Sequence, residues 1–192
     1  DNKYAKDYKK IKLLLRSACK FVSSNSIFII SSQLDPGNTR NISKNFFENK
    51  IDLIGYTPNF LTIGESLKSI KLQKKIIFGY RGNLVLQNKN LIKKYFKYYD
   101  ISQLIFSSLE TAEIAKEAIQ FNLALNIMFS NIVSSICEKY DAKYEDIKKL
   151  IISDRRFSKF GYWRPSLGFA GGHIERPLNM FQDLSNNDEK KF

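Results

Sequence analysis

From Ser108 to about Tyr140 the sequence contains neither glycine nor proline. Its apolar residues recur at the three- and four-residue spacing of an amphipathic helix. They are Ala112, Ala115, Ala118, Ile119, Leu123, Ile127, Ile132 and Ile136. About 30 residues at 1.5 Å per residue give a helix roughly 45 Å long, which must extend from a single globular domain or join two.

The part of the chain before this helix alternates helical and strand patterns. Strand patterns are short apolar runs rich in β-branched and aromatic residues, and helical patterns carry lysines among periodic apolar residues. We expect strands at Ser26–Ser32, Ile51–Tyr56, Lys75–Phe78 and Ile101–Phe106, and helices at 4–24, Thr39–Glu48 and Asn88–Tyr98. Strands separated by helices favour right-handed βαβ units, so the sequence predicts an α/β fold with part of a doubly wound parallel sheet.

A capping box at Ser107-Ser108-Leu109-Glu110 marks the start of the long helix. A second helix at about Tyr144–Ile152 and a glycine- and aromatic-rich segment, Phe160–Gly172, follow it. The predicted domains are therefore residues 1–107 and 108–182, with 183–192 as a polar tail. The chain begins Asp1-Asn2-Lys3, with no Met and no signal-peptide pattern, which we interpret as a piece of a longer polypeptide or a trimmed product.

Composition restricts the partners and the compartment. Lys and Arg number 31 against 19 Asp and Glu, a net charge of +12, so a polyanion must be considered. The basic residues are dispersed, which favours a solvated lysine-rich surface over a nucleic-acid site.

Two distant cysteines, Cys19 and Cys137, exclude a disulfide framework and a cysteine-based zinc site, and they fit a reducing, cytoplasmic compartment. The longest apolar run is only strand-length, so we expect no membrane span and no membrane partner.

Three residues could carry chemistry, and each has a structural alternative. His173, the single histidine, ends a permissive loop, Gly168-Phe169-Ala170-Gly171-Gly172, that either wraps a ligand or is purely structural. Arg164 is either a phosphate-binding cation or a surface charge. Lys116 either extends from the core to solvent or points into a cleft. The sequence contains neither a GxGxxG motif after a strand nor a P-loop.

Five segments in order resemble the UDP-glucose/GDP-mannose dehydrogenase family over about residues 20–180. They are Ile29-Ile30-Ser31-Ser32-Gln33 with Pro36-Gly37, Tyr56-Thr57-Pro58-Asn59-Phe60-Leu61, Glu110-Thr111-Ala112-Glu113 with Lys116, Ile136-Cys137-Glu138-Lys139, and Gly168-Phe169-Ala170-Gly171-Gly172. The resemblance implies the later strands of a Rossmann-like NAD-binding domain, followed by a long central helix and a helical dimerisation domain. The family's initial glycine-rich half and its final domain have no counterpart in this sequence.

The resemblance also implies a damaged catalytic site. Family members oxidise a sugar CH₂OH to a carboxylate in two hydride transfers to NAD, through a thiohemiacetal on a cysteine. That cysteine falls on His173, and the aspartate four residues later falls on Pro177. The family's glutamate falls on Asn59, which cannot act as a general base, and the asparagine one turn after the helix lysine falls on Gln120. Only Lys116 matches.

Binding positions are better preserved than catalytic ones in this resemblance. Ser32 and Gln33, the latter at the family's threonine position, lie on the cofactor side. The positions for a nucleotide sugar such as UDP-glucose are Phe60, Leu61, Tyr162, Trp163, Arg164, Gly168, Phe169, Gly171 and Gly172. Arg164 could contact a diphosphate bidentately.

We therefore interpret the chain as a homologue of the NAD-dependent nucleotide-sugar 6-dehydrogenases of polysaccharide biosynthesis that has lost oxidation. It would retain nucleotide-sugar recognition or assembly as a homodimer through the 108–140 helix. A divergent active oxidoreductase is the first alternative, and a basic nucleic-acid-binding module is the second.

Overall fold

The fold is described from a computed structural model, over residues 8–23, 26–47, 53–60, 68, 75–82, 84–97, 103–168, 174–175 and 177–182. The chain folds as two compact units, and the division falls inside the long helix, after Lys116.

The first unit combines a four-stranded sheet with helices. Its elements are α1 (Tyr8–Ala18), β1 (Ile27–Ile30), α2 (Asn38–Phe47), β2 (Leu53–Tyr56), β3 (Lys75–Gly82), α3 (Leu86–Tyr95), β4 (Gln103–Ser108) and the start of α4 (Leu109–Lys139). The second unit holds the rest of α4, α5 (Tyr144–Ser153) and a helical stretch over 177–182. All four predicted strands form, and the 31-residue α4 confirms the predicted long helix.

The sheet has the order β1-β2-β3-β4 and is mixed. β1 pairs with β2 and β3 with β4 in parallel, whereas β2 and β3 are antiparallel, with Tyr56 opposite Gly79. The expectation of an entirely parallel sheet is wrong at this one pair. The apolar runs that predict strands are local, and they do not specify in which direction two strands pair.

Helices cover both faces of the sheet. Successive residues of a strand point to opposite faces, and the adjacent residues Leu53 and Ile54 of β2 accordingly belong to two different core clusters. One cluster includes Leu15 of α1, Ile42 of α2 and Ala112 of α4, and the other includes Ile92 of α3. This two-sided cover is the doubly wound arrangement that the sequence predicted.

The start of α4 packs directly on β3. A Cβ added to Gly79 would lie 2.6 Å from the Ser108 carbonyl oxygen and 2.8 Å from the Ala112 Cβ. Both separations are shorter than contacts between real atoms, so glycine is required here. The predicted strand ended at Phe78, whereas β3 continues through Gly79 to Gly82.

The helix cap differs from the predicted capping box by one residue. The Ser108 hydroxyl oxygen accepts the Thr111 N–H at 3.1 Å, so Thr111 occupies the third helical position. Glu110, expected to complete the box, instead pairs with Arg40 of α2.

α4 is also long and apolar enough to cross a membrane by length and composition, with a mean hydropathy of 1.3 over its best 18-residue window. The sequence expectation missed this because it considered only uninterrupted apolar runs. Core helices of soluble proteins pass the same test. Only 22% of that window is buried, although Ala124, Ile127, Ser130 and Cys137 of this helix are buried within the protein.

Candidate functional site

Lys116 lies against the loop that follows β2. Its Nζ donates a hydrogen bond of 2.6 Å to the Asn59 carbonyl oxygen and stands 4.9 Å from the centre of the Phe60 ring. The structure thus brings together three residues that the sequence assigned to one site. The side chain of Asn59 is exposed, and an amide there can donate and accept hydrogen bonds but cannot remove a proton.

The loops after β1 and β2 share one edge of the sheet. The two strands are parallel, so their carboxyl ends meet at that edge. Ser32 and Gln33 follow β1, and Asn59 and Phe60 follow β2. In open α/β sheets, ligands bind outside the carboxyl ends of the strands, so these four residues occupy a position suited to a ligand.

A buried carboxylate, Glu113, ties α4 to the start of α2. Its two oxygens accept the Gly37 N–H at 2.7 Å and the Thr39 N–H at 2.8 Å, and the residue has no exposed surface. Burial raises the pKa of Glu113, and the hydrogen bonds from Thr39 and Gly37 oppose that rise. Gly37 adopts a φ of +86°, which favours glycine.

A second carboxylate on α4 makes an ion pair with the same helix. The Arg40 guanidinium donates to both oxygens of Glu110, at 2.5 Å and 2.9 Å. These bonds lower the pKa of Glu110. Both contacts on α2 bring an acidic side chain to the start of a helix, where negative charge is favoured, so they hold the loop between β1 and α2 in place.

The second unit contains a cleft of about 460 Å³ between α4, α5 and the segment after α5. Three of its nine lining residues are cationic and none is acidic; the nine are Ile127, Lys148, Ile152, Lys159, Gly161, Tyr162, Trp163, Arg164 and Ser166. Lys148 also pairs with Glu145 at 3.1 Å, so part of its charge is balanced. Lys159 and Arg164 are exposed at the cleft.

Trp163 forms the rigid wall of this cleft. Its indole N–H donates to the Ser158 carbonyl oxygen at 2.7 Å, and its own carbonyl oxygen accepts the Tyr144 hydroxyl at 3.3 Å. Its ring packs edge-on against Phe129 of α4 and Phe157, with centroids 6.2 and 5.7 Å away. Tyr162 beside it is 45% exposed, so an aromatic face is open to a ligand.

The start of the glycine loop is anchored to α4. The Ser166 N–H donates to Asn131 Oδ1 at 2.8 Å, and the Ser166 hydroxyl donates to the Gly168 carbonyl oxygen at 2.8 Å. Gly168 has a φ of +139°, a conformation that side chains disfavour.

The candidate residues thus fall into two groups. Lys116, Asn59 and Phe60 lie together in the first unit, and Tyr162, Trp163 and Arg164 line the cleft of the second. Gln120 lies on α4 in the second unit, and Pro177 is buried in the final helical stretch. Outside the described residues are Leu61, Phe169, Gly171, Gly172 and His173.

Sequence reasoning missed Glu113, Lys148 and Lys159. Glu113 lies in one of the five segments that carry the family resemblance. The local sequence does not show that it accepts a hydrogen bond from a backbone N–H group 76 residues away. Lys148 and Lys159 come from separate segments, and only tertiary packing brings them to one cleft. Within the described part of the chain, no group of three or more His, Cys, Asp or Glu residues could hold a metal ion.

Part of the chain matches the model of a known family. Residues 110–191 match the model of the UDP-glucose/GDP-mannose dehydrogenase family, central domain. A UDP-glucose 6-dehydrogenase of Rhizobium meliloti (strain 1021) is 31% identical over 113 residues, covering 58% of this chain and 26% of that protein. Another, from Campylobacter jejuni, is 28% identical over 165 residues, covering 86% of this chain and 40% of that protein. The chain thus spans less than half the length of these relatives.

Solved structures share the fold over nearly the whole chain. A UDP-glucose dehydrogenase from the archaeon Pyrobaculum islandicum superposes with a TM-score of 0.80 at 18% identity, covering 97% of this chain and 44% of that one. A GDP-mannose dehydrogenase from Pseudomonas aeruginosa gives a TM-score of 0.67 at 18% identity, covering 94% and 43%. The resemblance seen in the sequence is confirmed: the chain is homologous to the UDP-glucose/GDP-mannose dehydrogenases, and its residues 110–191 match the central-domain model of that family.

Proposed function

We propose that this chain retains the nucleotide-sugar binding of its family and has lost oxidation. The observation that carries the proposal is the cleft of the second unit. Lys148, Lys159 and Arg164 supply positive charge, and Tyr162 and Trp163 supply aromatic surface. A nucleotide sugar offers the complementary groups: a diphosphate for the cations, and a base and a sugar for the aromatic faces.

Each cleft residue has a part in this binding. Arg164 donates to phosphate oxygens through its planar guanidinium, which can bond two oxygens at once. Lys159 adds a mobile point charge. Tyr162 stacks against the base or the sugar, while Trp163 holds the wall in place through its two hydrogen bonds. The anchored Ser166–Gly168 turn presents backbone groups to the sugar.

The loss of oxidation follows from the residue types. The position of the family's thiol holds His173, and that of its general base holds Asn59, so neither the thiol nucleophile nor the carboxylate base is present at its position. Lys116 remains, with its amine on the Asn59 carbonyl oxygen. The family's cofactor is NAD, which accepts hydride when bound. The GxGxxG motif that binds the cofactor's phosphates is not in this sequence. Of the residues assigned to the cofactor, this chain supplies only Ser32 and Gln33, which follow β1.

We further propose that the protein acts as a homodimer in the cytoplasm. Exposed apolar residues form a stripe along one side of α4: Leu125, Met128, Phe129, Ile132 and Ile136. A contiguous exposed apolar stripe marks an interaction surface, and a second copy offers the same surface in return. Free thiols at Cys19 and Cys137 suit a reducing compartment.

A titration with UDP-glucose tests the binding. Trp163 is the single tryptophan and lines the cleft, so its fluorescence reports occupancy. We expect saturable quenching in the parent and a loss of about 1–3 kcal/mol of binding free energy in Arg164→Ala. Arg155→Ala, which removes an exposed arginine outside the cleft lining, is the matched control and should bind as the parent does. Equal affinity in parent and Arg164→Ala would remove the cleft from the proposal.

The two alternatives give different results in companion assays. A divergent oxidoreductase would form NADH from NAD and a nucleotide sugar. A nucleic-acid-binding module would bind DNA or RNA with a steep dependence on salt.

A further inference from the structure

Helix α1 has two apolar surfaces, and only one of them is used by the fold. Leu15 is 5% exposed and packs in the core cluster, with Ile11, Cys19 and Val22 beside it. Leu13, Leu14 and Phe21 are 61%, 71% and 87% exposed. We call these three residues the outer face of α1. Leu13 and Leu14 lie on α1 itself, and Phe21 lies in the turn three residues after the end of α1.

This outer face is surrounded by positive charge. Residues 8–23 contain five Lys or Arg and neither Asp nor Glu. Lys12, Arg16 and Lys20 are exposed. Helix α1 and the turn after it therefore combine exposed leucine and phenylalanine side chains with surrounding cations, and segments of this composition lie on anionic membrane surfaces.

The positive charge around the outer face favours one of three possible binding partners. A second copy of α1 would bring its cations against these cations, which like-charge repulsion disfavours. A nucleic-acid backbone would match the cations but would leave Leu13, Leu14 and Phe21 in water. An anionic lipid surface matches both, since its headgroups attract Lys and Arg while its acyl boundary accepts the apolar side chains.

We propose that the outer face of α1 docks the protein on anionic lipid surfaces, as a peripheral contact that does not cross the bilayer. This role goes beyond nucleotide-sugar binding, since it uses the first unit and none of the cleft residues. Leu13 and Phe21 enter the headgroup boundary, and Arg16 and Lys20 contact the lipid phosphates.

Sedimentation of the full chain with vesicles tests this docking. We expect binding to phosphatidylcholine vesicles that contain phosphatidylserine, little binding to phosphatidylcholine alone, and release by salt. Arg16→Gln with Lys20→Gln should weaken binding about twenty- to thirtyfold, because each cation at the surface contributes about fivefold. Leu13→Ser with Phe21→Ser should weaken it by about tenfold or more.

Leu91→Ser is the matched control. Leu91 is a 41% exposed leucine on α3, another helix rich in lysine, whose core cluster is not that of α1. This variant should bind as the parent does, and circular dichroism checks that each variant folds. Equal sedimentation with both vesicle types would overturn the proposal, as would full binding by the Leu13/Phe21 variant or an equal loss in Leu91→Ser. Tighter binding to duplex DNA or polyglutamate that also depends on Leu13 and Phe21 would assign the face to that partner instead.

Discussion

Glu113 of α4 and Gly37 at the start of α2 lie 76 residues apart in the sequence and are joined by a 2.7 Å hydrogen bond. The same carboxylate accepts the Thr39 N–H, so one buried side chain satisfies two backbone donors of another element. Buried donors left without a partner are costly. This contact therefore couples the loop after β1 to the long helix.

Replacing Glu113 by glutamine should destabilise the protein by about 1–3 kcal/mol at neutral pH, because the two N–H groups meet separate carboxylate oxygens and the glutamine NH₂ can accept neither of them. The pKa of Glu113 is raised in the folded state. A raised pKa contributes stability that is present below the usual carboxyl range and lost as pH rises through the folded pKa. Glutamine does not titrate, so Glu113→Gln should remove this part of the parent's pH dependence, as measured by urea unfolding followed by circular dichroism.

Glu110, on the same helix, should show the opposite dependence of stability on pH. Arg40 lowers its pKa, so its contribution is present above the usual carboxyl range and lost as pH falls through the folded pKa. Glu110→Gln should cost at most about 1 kcal/mol, since the pair is partly exposed, and that cost should shrink at acid pH. If both variants changed with pH in the same direction, the assignment of a buried and a paired carboxylate would be wrong.

Substitution by alanine should destabilise the protein by different amounts at Gly37 and Gly79. At Gly37 a Cβ meets nothing within 4 Å, so the cost of Gly37→Ala is conformational, about 1–2 kcal/mol for a left-handed residue. At Gly79 a Cβ would overlap the backbone of Ser108 and Leu109, so Gly79→Ala must displace α4 from the sheet and should cost more. Equal thermal stability of the two variants would contradict this packing.

The exposed stripe of α4 predicts which substitution should weaken the dimer. Ile132 is 61% exposed, so Ile132→Asp should place a charge in the interface and shift sedimentation toward the monomer. Leu91→Asp on α3 controls for the added charge and should leave association unchanged. The sequence also suggested Ile127 for this face, but Ile127 is only 8% exposed and packs within its own unit. A parent that sediments as a monomer at tens of micromolar, roughly where a stable interface persists, would count against the dimer.

Restoring single catalytic groups should not restore oxidation, because such groups act as a unit. We expect no NADH from UDP-glucose with the parent, with His173→Cys, or with His173→Cys and Asn59→Glu together. Circular dichroism confirms that the variants fold. Turnover by the parent would establish the divergent-oxidoreductase alternative.

The sequence predicted the elements well and their long-range contacts poorly. The long helix and the four strands were visible because periodicity and apolar runs are local properties. The antiparallel β2/β3 pair, the buried Glu113 and the cleft lysines depend on which segments meet in space. Lys116 was placed beside Asn59 and Phe60 only through the family resemblance, since periodicity left two orientations open for that side chain.

The most direct measurement compares the affinity of the cleft for UDP-glucose with its affinity for uridine, by calorimetry on the parent and on Arg164→Ala. If Lys159 and Arg164 hold the diphosphate, the parent should bind UDP-glucose at least about tenfold more tightly than uridine, since one charged hydrogen bond is worth about 1.5–3 kcal/mol. That preference should shrink in Arg164→Ala while uridine binding stays the same. A preference that is absent in the parent, or equally large in both proteins, would contradict the account.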